Sequence, residues 1–216
     1  MADPRSTGAH GRFPPGFDPT VTLTGETIRV RPLVEGDREP LFTAIADPLI
    51  WEQHPAKDRA TRAGFEPYLD FLLATGGSMA VEEVGGAGHD HRVIGTSTFY
   101  GEPPDGTAEG SADATERPSV GFTFLTREHW GQGGKGGTNF ELKRLMLDHL
   151  FPHTPAVWLH IAPGNARSQR ATAKLGAVHE RDATLNTTGT ASLAQCWRLD
   201  RAAWERTKAT RAGAKT

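Results

Sequence analysis

Between residues 130 and 139 the chain reads Trp130-Gly131-Gln132-Gly133-Gly134-Lys135-Gly136-Gly137-Thr138-Asn139. A run this rich in glycine can neither hold a helix nor fill a core, so it has to be a turn. What flanks it is regular. Ser119–Leu125 (SVGFTFL) is a strand candidate, and Phe140–Phe151 (FELKRLMLDHLF) repeats apolar residues at helical spacing. A second strand, Ala156–Ala162, and a second helix opening, Gly164-Asn165-Ala166-Arg167-Ser168, follow directly. The centre of the chain is therefore a strand, a glycine turn, a helix, a strand and a helix.

The bulk numbers bound the rest. The chain has 216 residues, enough for one domain with a sizeable core. Lys plus Arg is 24 against 26 for Asp plus Glu, a formal charge of −2, which gives no case for nucleic acid or an anionic membrane as partner. Cys196 is the only cysteine, so no intrachain disulfide is expected, and the residue reads as half-buried in a strand. No apolar run reaches a membrane span, and the polar, Pro/Gly-rich start lacks a secretion-signal pattern. A soluble cytoplasmic protein is the expectation.

Taken in order, residues 1–17 hold little to bury and are expected to form a flexible tail. Thr27–Arg31 alternates as a half-buried strand, and Leu41, Phe42, Ile45, Ala46 and Leu49 mark a helix face. In Asp47–Pro55 two prolines bracket Trp51, Glu52 and His54, a composition suited to a pocket wall or to a plug over a helix end. Thr61–Ala74 reads as a helix capped by Thr61 and stopped by Gly76-Gly77. Ser78–Val84 and Arg92–Tyr100 read as a hairpin, residues 101–118 as a loop, and Val178–Thr184 and Ala194–Leu199 as the last strands. Arg201–Thr207 reads as a short helix and residues 208–216 as a second flexible tail. This order predicts an α/β (α+β) fold, one domain over residues 18–207. Its sheet is mixed, mostly antiparallel and twisted, with helices on both faces. His89, Asp90 and His91 lie together in a turn with no further ligand nearby, so no metal site is expected.

On the central helix the same spacing puts Leu142, Leu145, Met146, Leu150 and Phe151 inward, with Glu141, Lys143, Arg144 and Asp148 mostly outward. A glycine turn leading into such a helix aims backbone N–H groups and the positive helix end at one point, which makes an anion site suited to phosphate or pyrophosphate. Gly131–Gly136 fits the dinucleotide pattern G-x-G-x-x-G, but the next strand ends without the acidic residue that would hold a ribose. Lys135-Gly136 lacks the Ser or Thr of a Walker loop. Asn165 is a natural N-cap for the second helix, and Ser168 points from its first turn toward the same cleft.

The strand, the W-G-x-G-rich turn, the N-x-E-x-K helix and the N-x-R-S-x-x-A-x-x-K-L-G-A segment together resemble the GNAT superfamily of acyl-CoA-dependent N-acetyltransferases. Within it they are similar to the branch of ribosomal-protein N-terminal acetyltransferases. The opening TIRVRPLVEGDREPLFTAIADPLIWEQHP is similar to that branch too, so the likeness runs from about Thr22 to Leu199. It implies acetyl-CoA as co-substrate, no metal, and an amine acceptor, with a homodimer as a further expectation. The pyrophosphate would lie on Gly131, Gln132, Gly133, Gly134, Lys135, Gly136, Gly137, Thr138 and Asn139, with Trp130 also against the cofactor. The pantetheine would run beside Phe124 and Leu125, with Asn165 and Ser168 near the sulfur. Where family members carry a tyrosine acid, Thr172 stands here. Where a strand glutamate serves as base, Ser119 stands, with Glu116 just upstream.

Acetyl transfer to an amine needs a base, donors for the oxyanion and a proton for the thiolate. The resemblance assigns the oxyanion donor to the Leu125 N–H, and Ser168 is the hydroxyl best placed for the sulfur. Glu52, His54 and Glu116 are the candidate bases. A direct attack in a ternary complex is expected, with a non-catalytic acyl-CoA binder as the alternative and a nicotinamide-dependent enzyme as a third reading.

Overall fold

The computed structural model describes residues 13–84, 91–102, 117–131, 137–186 and 191–213. Strands are β1 (Leu23–Thr24), β2 (Ile28–Pro32), β3 (Ser78–Glu83), β4 (Arg92–Glu102), β5 (Arg117–Leu125), β6 (Ala156–Ile161), β7 (Val178–Leu185) and β8 (Ser192–Asp200). Helices are α1 (Arg38–Ile45), α2 (Arg62–Ala74), α3 (Thr138–Leu150), α4 (Ala166–Ala173) and α5 (Arg201–Gly213). The expected order of strands and helices is observed, except that two short strands, β1 and β2, stand where one was expected.

All eight strands form one sheet in the order β1-β2-β3-β4-β5-β6-β8-β7. Every pairing is antiparallel except β5 with β6, which is parallel. That exception follows from connectivity: α3 carries the chain from the end of β5 back to the start of β6, and such a crossover yields parallel neighbours. Helices cover both faces. One apolar cluster joins α1 and α2 (Leu41, Ile45, Phe65, Leu69, Leu72) to Ala80, Val93 and Phe124. The other joins α3 and α5 (Leu142, Met146, Leu147, Trp204) to Val30, Val81, Ile94, Val120 and Val157. The alternation along each strand sends successive side chains to these two layers.

Local signals set the boundaries. The Thr61 hydroxyl accepts from the Gly64 N–H at 3.3 Å and caps α2. Gly76 has φ +66 where the chain leaves that helix, a conformation that glycine adopts without strain. The anticipated first strand is a tight hairpin instead, closed by Gly25 N donating to Ile28 O at 2.8 Å. Glu141 of α3 holds this turn by accepting from the Thr27 N–H at 2.9 Å.

Residues on either side of the expected domain, 13–17 and 208–213, pack against it. Phe17 is buried, packing edge-on against Phe99 at 5.0 Å and tilted against His149 at 4.9 Å and Phe13 at 5.5 Å. Two aromatic rings in a Pro/Gly-rich segment are enough to fasten residues 13–17 to the α3 side. At the other end α5 continues to Gly213, past Thr207. Lys208 pairs with Asp148 at 2.7 Å, and the Arg211 guanidinium lies 4.0 Å over the Phe140 ring. These partners are on α3, so no pattern local to residues 208–213 announces them. Trp204 of α5 is fully buried and donates its indole N–H to Asp148 at 2.8 Å. Cys196 is likewise fully buried, on β8. No helix among the described residues is long and apolar enough to cross a membrane.

Candidate functional site

The parallel pair β5/β6 makes a single bridge, Ser119 opposite Trp158, and then the strands part. The wedge between them is a cavity of about 270 Å³. Its walls come from β5 (Val120 to Leu125), β6 (Leu159, His160, Ile161), the α1–α2 loop (Ile50, Trp51, His54), α3 (Asn139, Lys143) and α4 (Arg167, Ser168, Ala171, Thr172). Trp130, Gly131 and Asn165 close its rim.

A bulge shapes β5 at this point. Thr96 faces Phe124 and Thr98 faces Gly121, so Ser97 of β4 stands opposite two residues, Phe122 and Thr123. Phe122 takes φ +47, the only described residue other than glycine with positive φ, which is a strained conformation for a bulky side chain. Past the bulge, Thr126 N donates to Ile94 O at 2.8 Å. In an antiparallel ladder hydrogen-bonded and non-bonded pairs alternate. Leu125, paired with Gly95, therefore turns its N–H and C=O away from β4 and into the wedge. Trp130 meets that carbonyl, its indole N–H donating to Leu125 O at 2.8 Å.

The base of the wedge carries positive potential. Asn139 and Phe140 precede the first main-chain bond of α3, Glu141 N to Gly137 O at 2.8 Å, so their N–H groups have no partner within the helix and the positive helix end favours an anion. Arg167 stacks 3.9 Å over the Trp130 ring, donates to Ile50 O at 2.7 Å, and receives Gln53 Oε1 on its own N–H at 3.0 Å. It thereby ties α4 to the α1–α2 loop across the mouth. Among the described residues no carboxylate lines the cavity, and no group of three or more His, Cys, Asp or Glu is placed to hold a metal ion.

Eight of the seventeen residues singled out from sequence meet here. Phe124, Leu125, Trp130, Gly131, Asn139, Asn165, Ser168 and His54 all line the cavity. Gly137 and Thr138 begin α3, with Thr138 buried beneath the rim. Asn165 caps α4, its Oδ1 accepting from the Ser168 N–H at 3.1 Å. Asn165→Ala is expected to lower stability by about 1 kcal/mol through the lost cap. That is a drop of roughly 2–4 °C in Tm for a chain of this size, read by thermal denaturation. Glu52 is exposed and stands outside the wall. Glu116, Gln132, Gly133, Gly134, Lys135 and Gly136 lie outside the described residues.

His54 differs from its expectation as a near-neutral base. Burial, with Arg59 and Arg167 nearby, pushes its pKa down to about 4. Its Nδ1 accepts from the Ala56 N–H at 3.0 Å, so the proton of the neutral ring sits on Nε2. At pH 7 His54 is a hydrogen-bond donor and a poor base.

Three features escape sequence reading. Tyr100 of β4 and His160 of β6 hydrogen-bond at 2.8 Å across the intervening β5. Gly121 permits this, because a Cβ there would come within 3.0 Å of the tyrosine ring and hydroxyl. Arg167 reads in the sequence as an ordinary residue of the helix opening, yet it bridges α4 to the α1–α2 loop. Lys143 reverses its expected outward orientation: it is buried at the cavity floor, with Nζ 2.7 Å from Thr123 Oγ1 and 3.3 Å from Ser97 Oγ.

The chain matches the family model described as an acetyltransferase (GNAT) domain over residues 27–178. Similar solved structures include a GCN5-related N-acetyltransferase from Brucella melitensis, 16% identical with TM-score 0.62, covering 91% of this chain and 86% of that one. Mycobacterium smegmatis RimJ in complex with CoA-disulfide is 16% identical with TM-score 0.57, covering 92% and 97%. AAC(6')-Ib in complex with ribostamycin and coenzyme A is 22% identical with TM-score 0.58, covering 84% and 98%. At these identities the likeness speaks for the fold. No curated protein sequence matches the chain.

Proposed function

This chain belongs to the GNAT acetyltransferase family, and on that premise we propose that it transfers an acetyl group from acetyl-CoA to a primary amine by direct attack within a ternary complex. The observation that carries the reading is the wedge between β5 and β6, with the Leu125 N–H turned into it beside an open α3 N-terminus. The pyrophosphate sits against Gly137–Asn139 and the glycine loop before them. The pantetheine runs along Phe124 and Leu125 toward Ser168 and Asn165.

In the reaction the neutral amine nitrogen attacks the thioester carbon. The C–N bond forms, the carbonyl oxygen gathers charge opposite the Leu125 N–H, and the C–S bond breaks as the oxygen charge returns. Ser168 stabilises the departing thiolate by hydrogen bonding, and the thiolate takes a proton from water. Deprotonating the amine falls to Glu116 or to His160. Glu116→Gln and His160→Gln, assayed separately, tell them apart by which one lowers kcat/KM at pH 7.

The acceptor is a protein N-terminus or a small-molecule amine. The first follows from the sequence resemblance to ribosomal-protein N-terminal acetyltransferases, and the second is supported by the likeness to the ribostamycin-bound AAC(6')-Ib. The competing reading, a binder of acyl-CoA without turnover, draws on the carboxylate-free described wall and the weak basicity of His54. Acetyl-CoA incubated with a panel of amines, with free thiol measured, decides between them. Thiol release that depends on the amine supports transfer. Tight CoA binding with no release for any amine would replace it with the binder.

A further inference from the structure

Among the described residues, Lys143 is the one lysine whose amine is enclosed at the cavity. It leaves α3 one turn after Asn139 and is 6% exposed. Its Nζ donates to Thr123 Oγ1, and Thr123 Oγ1 is in turn 2.7 Å from Ser97 Oγ. The two hydroxyls belong to the bulge, one from each strand. Ser97 is the β4 residue skipped by the ladder, and Thr123 is half of the extra pair on β5. The ammonium therefore fills the gap that the bulge opens, two residues from the Leu125 N–H.

Among the described residues no carboxylate pairs with it. On α3 itself Glu141 is engaged by the Thr27 backbone. Among the described residues the other charged or titratable groups lining the cavity are His54 on the α1–α2 loop, His160 on β6 and Arg167 on α4, and β4 and β5 offer the Lys143 amine the hydroxyls of Ser97 and Thr123. Burial alone pushes the Lys143 amine down to about 7. A buried cation without a counterion is unfavourable in a resting protein. It becomes favourable when an anion arrives.

We propose that Lys143 is the electrostatic partner of the thioester end of bound CoA, its ammonium held under the β5 bulge by Thr123 and Ser97 so that it faces the charge that develops there. This rests on the acetyl-CoA reading above. It assigns to this chain a positive charge at the floor of the wedge in addition to the Leu125 dipole. The arrangement makes cofactor binding proton-linked, because an anion beside Lys143 favours its protonated form.

The test is calorimetric titration of CoA into the full chain at pH 7.5, in buffers of different ionisation enthalpy, with wild type, Lys143→Met and Thr123→Val. Wild type is expected to take up about half a proton per CoA. Lys143→Met should lose that uptake. Thr123→Val, which weakens the hold on the ammonium, should shift it to lower pH. With a reactive amine identified, Lys143→Met should lower kcat by roughly 10–100-fold and change the KM for acetyl-CoA less than about 3-fold. Wild-type kcat should fall as pH rises through the Lys143 ionisation, and the variant should lack that limb. If wild type binds CoA and Lys143→Met takes up protons as wild type does, the inference is overturned while the CoA site stands. If wild type binds no CoA, the acetyl-CoA reading itself fails, and the role of Lys143 with it.

Discussion

Leu125→Pro is expected to reduce kcat by roughly 10²–10³-fold, the usual loss when one preorganised oxyanion donor is removed. The substitution is informative because of where the N–H points. Leu125 belongs to a non-bonded pair with Gly95, so deleting its N–H breaks no bond to β4. On the other side β6 has already left, its single bridge to β5 lying back at Ser119. Proline is tolerated at such a position, which behaves as a sheet edge inside the sheet. The side chain is a separate matter, since Leu125 is also buried in the α3-side cluster. Leu125→Ala keeps the N–H and removes most of the side chain, and so measures that loss alone. Turnover in Leu125→Pro that stays within a few-fold of Leu125→Ala would show that the donor is elsewhere. A shared fall in Tm without a fall in kcat would point to packing.

How much of this could be read in advance depends on the range of each signal. The order of elements was legible because alternation in Arg29–Arg31 and helical spacing in Leu142–Leu150 are local. So were the caps: Thr61 and Asn165 sit where a short polar side chain must receive an orphan N–H. Tyr100 and His160 are 60 positions apart and meet only because the sheet places β4, β5 and β6 side by side, with a glycine in the middle strand. Residues 208–213 stay helical because of α3, and Phe17 is fixed by Phe99 and His149. No neighbouring residue carries that information. Lys143 is a sharper failure. A helical wheel treats every lysine as solvent-facing, and this one is turned inward by a hole in a strand pairing that no wheel contains. Rule-breaking of this kind is expected at functional sites, where local preference is overridden.

The same residue gives the second large effect, and it runs against intuition: Lys143→Met should make the free protein more stable at pH 7. Methionine has a similar length and flexibility and no charge to desolvate. The hydroxyls it strands keep partners, since Ser97 and Thr123 bond each other at 2.7 Å and Thr123 also donates to Gly121 O at 3.2 Å. The sign with pH is fixed by linkage. The folded amine titrates at about 7, the unfolded one near 10.5. Between those values the unfolded chain holds more protons, so wild-type stability rises with pH through that window and the full penalty applies below it. Relative to Lys143→Met, wild type should gain about 1.4 kcal/mol for each pH unit between 7 and 10. Urea denaturation of both proteins at pH 7, 8 and 9 measures this directly. The variant's advantage should be largest at pH 7 and shrink at each step. A variant that is less stable than wild type at pH 7, with the two curves parallel in pH, would mean that the ammonium is already compensated in the free protein, leaving no stored penalty for CoA to relieve.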